Sequence, residues 1–262
     1  MRSRSKLFPS LITTADVIEF RAGWETSWKS TTTRQKAQQN IRGFLRYCCR
    51  ENLNDLLSAL KTIRLSKADR KRLEPKPFSE KEITALLARI PRTFTEAARA
   101  KTATLLVKFM LSTGVAIRDA VQLERKSIRD GWLRIERQKT ARPVRQRLDD
   151  NLLEELLDGD SEYVFWDGKF LVTSAVTAWQ DDLRQLMQDA GLWIKGNVSH
   201  RFRDTAVDFW LGEGCNLTEI AAMLGDTVAV CERHYANLAS KRMEERLEKM
   251  PRRSWEQTGA EA

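Results

Sequence analysis

The chain has 262 residues, 42% of them hydrophobic, and its 45 Lys and Arg against 36 Asp and Glu leave a formal charge of +9. That is enough apolar material for a packed core, and the basic balance calls for an anionic partner, either nucleic acid or a membrane surface. No stretch approaches the roughly 18 uninterrupted apolar residues of a membrane span or the apolar run of a secretory signal, which argues against a spanning protein and for a cytoplasmic one.

In chain order, residues 14–63 read as helices, because apolar side chains recur at helical spacing in "ADVIEFRAGW" and in "IRGFLRYCCRENLNDLLSALKTI" (Ile41, Phe44, Leu45, Cys48; then Leu53, Leu56, Leu57, Leu60). The polar run "KSTTTRQKAQQ" opens the longest of them. "RLSKADRKRLEPKPF" follows, basic and closed by Pro75 and Pro77, each of which holds its preceding residue extended. The sequence places a domain boundary here, after residue 77. The excess charge lies before it: residues 1–77 hold 17 Lys and Arg against 7 Asp and Glu, residues 78–262 hold 28 against 29.

Beyond the boundary, Ser79 in "SEKE" is predicted to cap a helix whose third position is Glu82 and whose apolar face carries Ile83, Leu86, Leu87 and Ile90. "ARAKTATLLVKFMLSTGVAIRDAVQLERKSI" reads as two helices broken at Gly114. "WLRIERQ" and "PVRQRL" alternate apolar and polar residues around "KTAR", which predicts a β-hairpin with Lys139 at its tip or shoulder, and "EYVFW" reads as a third short strand. From Val172 onward the periodicity is helical, with breaks at Gly191, Gly196, Gly212 to Gly214, and Gly225. The fold expected is mainly α with one small β-sheet.

Cys48, Cys49, Cys215 and Cys231 form no C-x-x-C pair, and the two histidines, His200 and His234, are 34 positions apart, so neither a zinc site nor a disulfide framework is indicated. The cysteines are expected to be reduced and semi-buried. "SHRFRDT" instead sets His200 and Arg203 three apart at a helix start, where both can reach one anion. Downstream, "LGDTVAVCERHYANL" brings Tyr235 just before a helical tail, and "TGVAIRDAVQL" brings Arg118 near a glycine break. Taken singly, each residue has a bland alternative: a capping histidine, a solvated hairpin lysine, an exposed helical arginine.

Together, in this order and over most of residues 78–245, they resemble the tyrosine recombinase (phage integrase) family. That family runs from an arginine after a Thr-Gly turn, through a hairpin lysine and His-x-x-Arg, to Leu-Gly-His and a tyrosine. The resemblance implies an integrase-type catalytic domain over 78–262, and over 1–77 a helical core-binding domain that clamps double-stranded DNA, its pattern starting almost at once with "TTADVIEF" where the family has a further helix. It implies metal-free and nucleotide-free cutting and rejoining through a 3′-phosphotyrosyl link, with no cofactor. Tyr235 would attack, Arg118 and Arg203 would grip the phosphate, His200 would assist proton transfer and Lys139 would protonate the leaving oxygen. Of the other tyrosines, Tyr47 and Tyr163 are expected to pack. Two positions depart from the pattern. Ala116 stands where the family arginine belongs, with Arg118 about 200° further round a helix and Asp119 still at the acidic position that follows. Asp226 stands where histidine or tryptophan is usual, able to accept a hydrogen bond but adding negative charge near a phosphate.

Phosphate contacts are expected from Arg34, Lys36, Arg42 and Arg46 on the long N-terminal helix and from Arg201 in the catalytic unit. In the tail, Met243, Leu247 and Met250 share one face, to pack on their own domain or to dock into a neighbouring protomer of a homo-oligomer, a tetramer on paired sites. The departures leave two further readings open: a DNA-binding protein of this fold that no longer cuts, and a topoisomerase-like relaxing enzyme.

Overall fold

The computed structural model describes residues 9–49, 52–66, 69, 74–194 and 198–252; residues 67–68 and 70–73 of the expected linker, and the expected break at Gly196, lie outside them. The chain divides into two compact units, residues 1–74 and 75–262.

The first unit holds helices α1 (Thr14–Ala22), α2 (Trp24–Ser27), α3 (Thr31–Cys48) and α4 (Leu53–Ala59). Thr13 and Asp16 form a reciprocal capping box that starts α1. Its core gathers Val17, Trp24, Leu45, Cys49, Leu56 and Leu60. The buried amide of Gln38 closes it, donating to the carbonyls of Leu60 (2.9 Å) and Lys61 (2.7 Å) and accepting from the Ile63 N–H (3.3 Å), so the polar end of α4 is satisfied from α3. Tyr47, expected to pack, is 88% exposed instead. Leu45 and Cys49 take the inner face of that helix end, and Tyr47, two positions from each, is turned outward.

The second unit starts with α5 (Glu80–Thr93), capped by Ser79 and Glu82 as their spacing requires. Helix α6 (Ala97–Thr113) is apolar nearly all round because it is central: Leu105, Leu106, Val107, Phe109 and Met110 are all buried. It ends at Gly114, in the left-handed region (φ +58°), and α7 (Ile117–Val121) follows. The antiparallel sheet runs β1 (Ile128–Arg129), β2 (Trp132–Glu136), β3 (Pro143–Arg147), with Leu133 opposite Gln146 and Ile135 opposite Val144. The third strand is therefore Ile128–Arg129 and not "EYVFW", whose Tyr163 makes only an isolated bridge to Glu124. The ring of Tyr163 does pack, on Trp166.

Helices α8 (Asp150–Leu157), α9 (Val172–Asp189), α10 (His200–Gly212), α11 (Leu217–Leu224) and α12 (Val228–Lys249) complete the unit. α10 packs on α6, and α11 packs on β3. Buried Gln146 pins the sheet to both helix ends, donating to the carbonyls of Thr113 (2.8 Å) and Met223 (2.9 Å). Among the described residues no helix is long and apolar enough to cross a membrane, and all four cysteines are free.

Candidate active site

Four pieces of chain meet at the sequence motif: the turn after α6, the β2–β3 turn, the start of α10, and α12 with the loop before it. The glycine of "STG" explains the first. A Cβ on Gly114 would come within 3.1 Å of Ala206 Cβ and Leu224 Cδ2 and 3.6 Å of Arg203 Cα, so only glycine allows both the left-handed turn and the close approach to α10.

Arg203 is 8% exposed and donates through Nη1 to Asp226 Oδ2 at 2.9 Å. Tyr235, on α12, is 7% exposed, and its hydroxyl donates to Asp204 Oδ1 at 3.3 Å. The other oxygen of Asp204 accepts the backbone N–H of Lys76 at 2.9 Å. Burial, and then the neighbouring Asp204 carboxylate, push the Tyr235 phenol well above its ordinary pKa, while Arg203 pulls it back. Burial likewise raises the Asp204 carboxyl. The phenol is therefore held protonated at neutral pH and has to lose its proton as it reacts, beside an acceptor less acidic than a free carboxylate.

His200 opens α10 at the solvent boundary. Desolvation, and then the charge of Arg203, hold its imidazole below the usual 6.5, with smaller pushes from His234 and Lys139 and an opposing pull from Asp204. It is thus neutral at neutral pH and able to accept a proton. Lys139 is exposed in the hairpin turn that runs from Arg137 to Arg142. His200, Arg203, Tyr235, Lys139 and Asp226 are in this way brought together.

Arg118 lies exposed on α7, and its side chain makes no hydrogen bond or ion pair among the described residues. Its neighbour Asp119 turns inward, accepting the Gln138 N–H at 3.0 Å and approaching Arg137 Nε at 3.9 Å. Arg137 is the residue the sequence reading missed. At 11% side-chain exposure it pairs through Nη1 with Asp226, the carboxylate that also holds Arg203. The departure at Asp226 was the available signal, since a buried carboxylate between motif residues requires a cation.

Arg201 needs a correction too. Expected at a DNA surface, it is 4% exposed, stacks over Phe78 (3.8 Å) and donates to the carbonyls of Lys76 and Leu192 (both 3.0 Å) and to Glu82 Oε1 (3.0 Å). In the first unit, Lys36 and Arg46 are exposed on α3. Arg34 instead pairs with Glu25 (3.3 Å), and Arg42 donates to the Leu60 carbonyl (3.2 Å).

No protein-family model and no curated protein matches the sequence. Solved structures do. XerH site-specific recombinase in a post-cleavage complex with palindromic difH substrate is 19% identical, with a TM-score of 0.67 over 91% of this chain and 72% of that one. A lambda integrase dimer bound to a COC′ core site is 15% identical, with a TM-score of 0.61 over 94% and 84%. The chain has the tyrosine recombinase fold. The catalytic domain of bacteriophage HP1 integrase is 20% identical at a TM-score of 0.52, over 67% of this chain and 95% of that one. Within that fold, the motif residues lie on the turn after α6 and α7, the β2–β3 hairpin, α10, and α12 with the loop before it.

Proposed function

We propose that this protein is a tyrosine-type site-specific DNA recombinase that cuts and rejoins strands through a 3′-phosphotyrosyl intermediate. The observation that carries the proposal is the buried Tyr235 phenol, hydrogen-bonded to Asp204 and electrostatically coupled to Arg203 in one cluster with His200 and Lys139. Attack of Tyr235 Oη on the scissile phosphorus forms the P–O(Tyr) bond and breaks the P–O5′ bond. The phenol proton passes to the neutral His200 side of the cluster or to Asp204, and the Lys139 ammonium gives a proton to the departing 5′-oxygen. Buried Arg203 stabilises the extra negative charge of the transition state, where a low dielectric makes a guanidinium most effective. An incoming 5′-hydroxyl reverses the step, ester for ester, with no net energy requirement.

Double-stranded DNA would be bound with the help of the basic first unit, whose Lys36 and Arg46 are free for phosphates. Assembly as a tetramer on paired sites, in the cytoplasm, completes the reading. A lambda integrase of this fold forms a tetramer bound to a Holliday junction, and Met243, Leu247 and Met250 leave an exposed apolar face on the last helix of this chain. The non-cutting reading draws support from Asp226, which occupies Arg203 and adds negative charge. Incubation with labelled, nicked duplexes from the DNA flanking the gene separates the two. A protease-sensitive covalent adduct, absent in Tyr235→Phe, is expected; salt-sensitive binding without any adduct would leave only the binder.

A further inference from the structure

A phosphodiester in transit to its transition state gains negative charge on two non-bridging oxygens, and a second guanidinium adds neutralisation and donors that one planar fork alone does not supply. The turn after Gly114 is built close to Arg203, but Ala116 offers a methyl group and Arg118 faces solvent. The second cation comes from another direction. Arg137 sits where β2 enters its turn, and the turn closes on it: its carbonyl accepts the N–H groups of Thr140 (3.2 Å) and Ala141 (2.8 Å), and its N–H donates to the Arg142 carbonyl (2.9 Å). Its side chain reaches under the loop before α12, toward the Gly225 carbonyl (3.4 Å) and Asp226.

Three further facts separate it from a structural arginine. Arg203 holds Oδ2 and Arg137 Oδ1 of the same Asp226 carboxylate, so two guanidiniums flank one group with an oxygen each, the relation that two phosphate oxygens require. Arg137 Nε is buried without a hydrogen-bond acceptor, a state it shares among the described residues with a few other buried atoms such as Arg34 Nε and Arg89 Nε. The two cations also feel each other: after burial, Arg137 is the largest influence drawing the Arg203 pKa down. Like charges are held this close at a cost, which a single anion between them repays.

Building on the cleavage reading above, we infer that Arg137 is a catalytic residue, the second phosphate-binding guanidinium of this site in place of the arginine absent at position 116, and that Asp226 positions it beside Arg203. The arginine comes from the hairpin and not from the turn after α6. This also explains why Asp226 is tolerated where histidine or tryptophan is usual: its charge is matched by the cation that the hairpin adds.

The test uses the full chain and two nicked duplexes differing only at the scissile phosphate: an ordinary diester, and a methylphosphonate whose replaced oxygen removes the charge that Arg137 neutralises. On the diester, Arg137→Ala should slow adduct formation by about 10²–10³-fold, the loss typical of removing one oxyanion donor. On the methylphosphonate it should come within about tenfold of wild type, because a single charged oxygen develops there and Arg203 alone can face it. Arg137→Lys, which keeps a point charge but no fork, should recover part of the diester rate and keep the fold. A misfolded variant would lose both substrates alike. An Arg137→Ala protein as fast as wild type on the diester, or one that melts like wild type yet is equally slow on both duplexes, overturns the assignment. So does the charge-dependent deficit appearing in Arg118→Ala instead. If wild type itself forms no adduct, the cleavage reading falls and takes this role with it, an outcome distinct from a reactive wild type with a reactive Arg137→Ala.

Discussion

Arg201 and Arg203 are two positions apart on α10 and share a side chain, yet rotation of about 200° sends them to opposite tasks. Arg203 turns toward Asp226 and Tyr235, whereas Arg201 turns toward residues 76–82, where the carbonyls of Lys76 and Pro77, the Glu82 carboxylate and the face of Phe78, together with the Leu192 carbonyl, absorb its charge. Removing a buried ion-pair partner leaves the other group's needs unmet, here Glu82 and the carbonyls of residues 76 and 77. Arg201→Ala is therefore expected to lower unfolding stability by about 2–4 kcal/mol, read as a shift in the denaturant midpoint. An unchanged midpoint with weakened DNA binding would return Arg201 to the phosphate-contacting surface that its sequence position first implied.

The hairpin is the element on which the site depends, and one glycine sets its position. Gly225 lies in the left-handed region (φ +62°), where a Cβ would come 2.8 Å from Val144 Cγ2 and 3.5 Å from Arg137 Cβ. Its carbonyl accepts from Thr140 Oγ1 at 3.2 Å and from Arg137 Nη1 at 3.4 Å. Gly225→Ala should cost about 1–2 kcal/mol in backbone strain alone and push the turn outward, so thermal melting falls and adduct formation slows beyond what the lost stability accounts for. A variant that melts lower but reacts normally would mean that the hairpin's placement is not critical. Elements of this kind were legible where one local rule decides them: Ser79 with Glu82 starts α5, and alternation around "KTAR" marks β2 and β3 to within two residues. The same rules missed what depends on the meeting of distant segments. "EYVFW" has the composition of a strand, but the two-residue β1 occupies the place beside β2, and Glu124 pairs with Tyr163 alone. Arg137 was hidden in an alternating strand pattern, since period-two spacing cannot reveal that a strand's last side chain reaches an aspartate 89 positions away. The distance of Arg118 from Gly114 in the sequence carries no information on the direction in which a helical side chain points.

At the scale of the molecule, the prolines led to a boundary after residue 77, whereas the compact units part at Glu74 and Pro75. The three residues between are physically part of the second unit. The N–H of Lys76 is the donor that satisfies buried Asp204, and the carbonyls of Lys76 and Pro77 receive Arg201; one residue later, the N–H of Phe78 donates to Thr205 Oγ1 at 2.8 Å. Asp204 is also the acceptor of the Tyr235 hydroxyl, so Lys76 supports that hydroxyl at one remove. Two fragments make this measurable. Residues 75–262 retain a complete core and should unfold cooperatively, binding DNA more weakly and with a shallower salt dependence than the full chain, because most of the excess positive charge is gone. Residues 78–262 lose the Lys76 donor and two of the Arg201 acceptors. They should unfold at a denaturant midpoint corresponding to about 2–3 kcal/mol less stability, the loss of a buried carboxylate's hydrogen bond and part of an arginine's set. Their adduct formation should fall further than that of the longer fragment, since Asp204 is no longer held where Tyr235 meets it. Equal stability and equal reactivity of the two fragments would place the boundary where the prolines stand, and would leave the Lys76 to Asp204 contact without a part in the site.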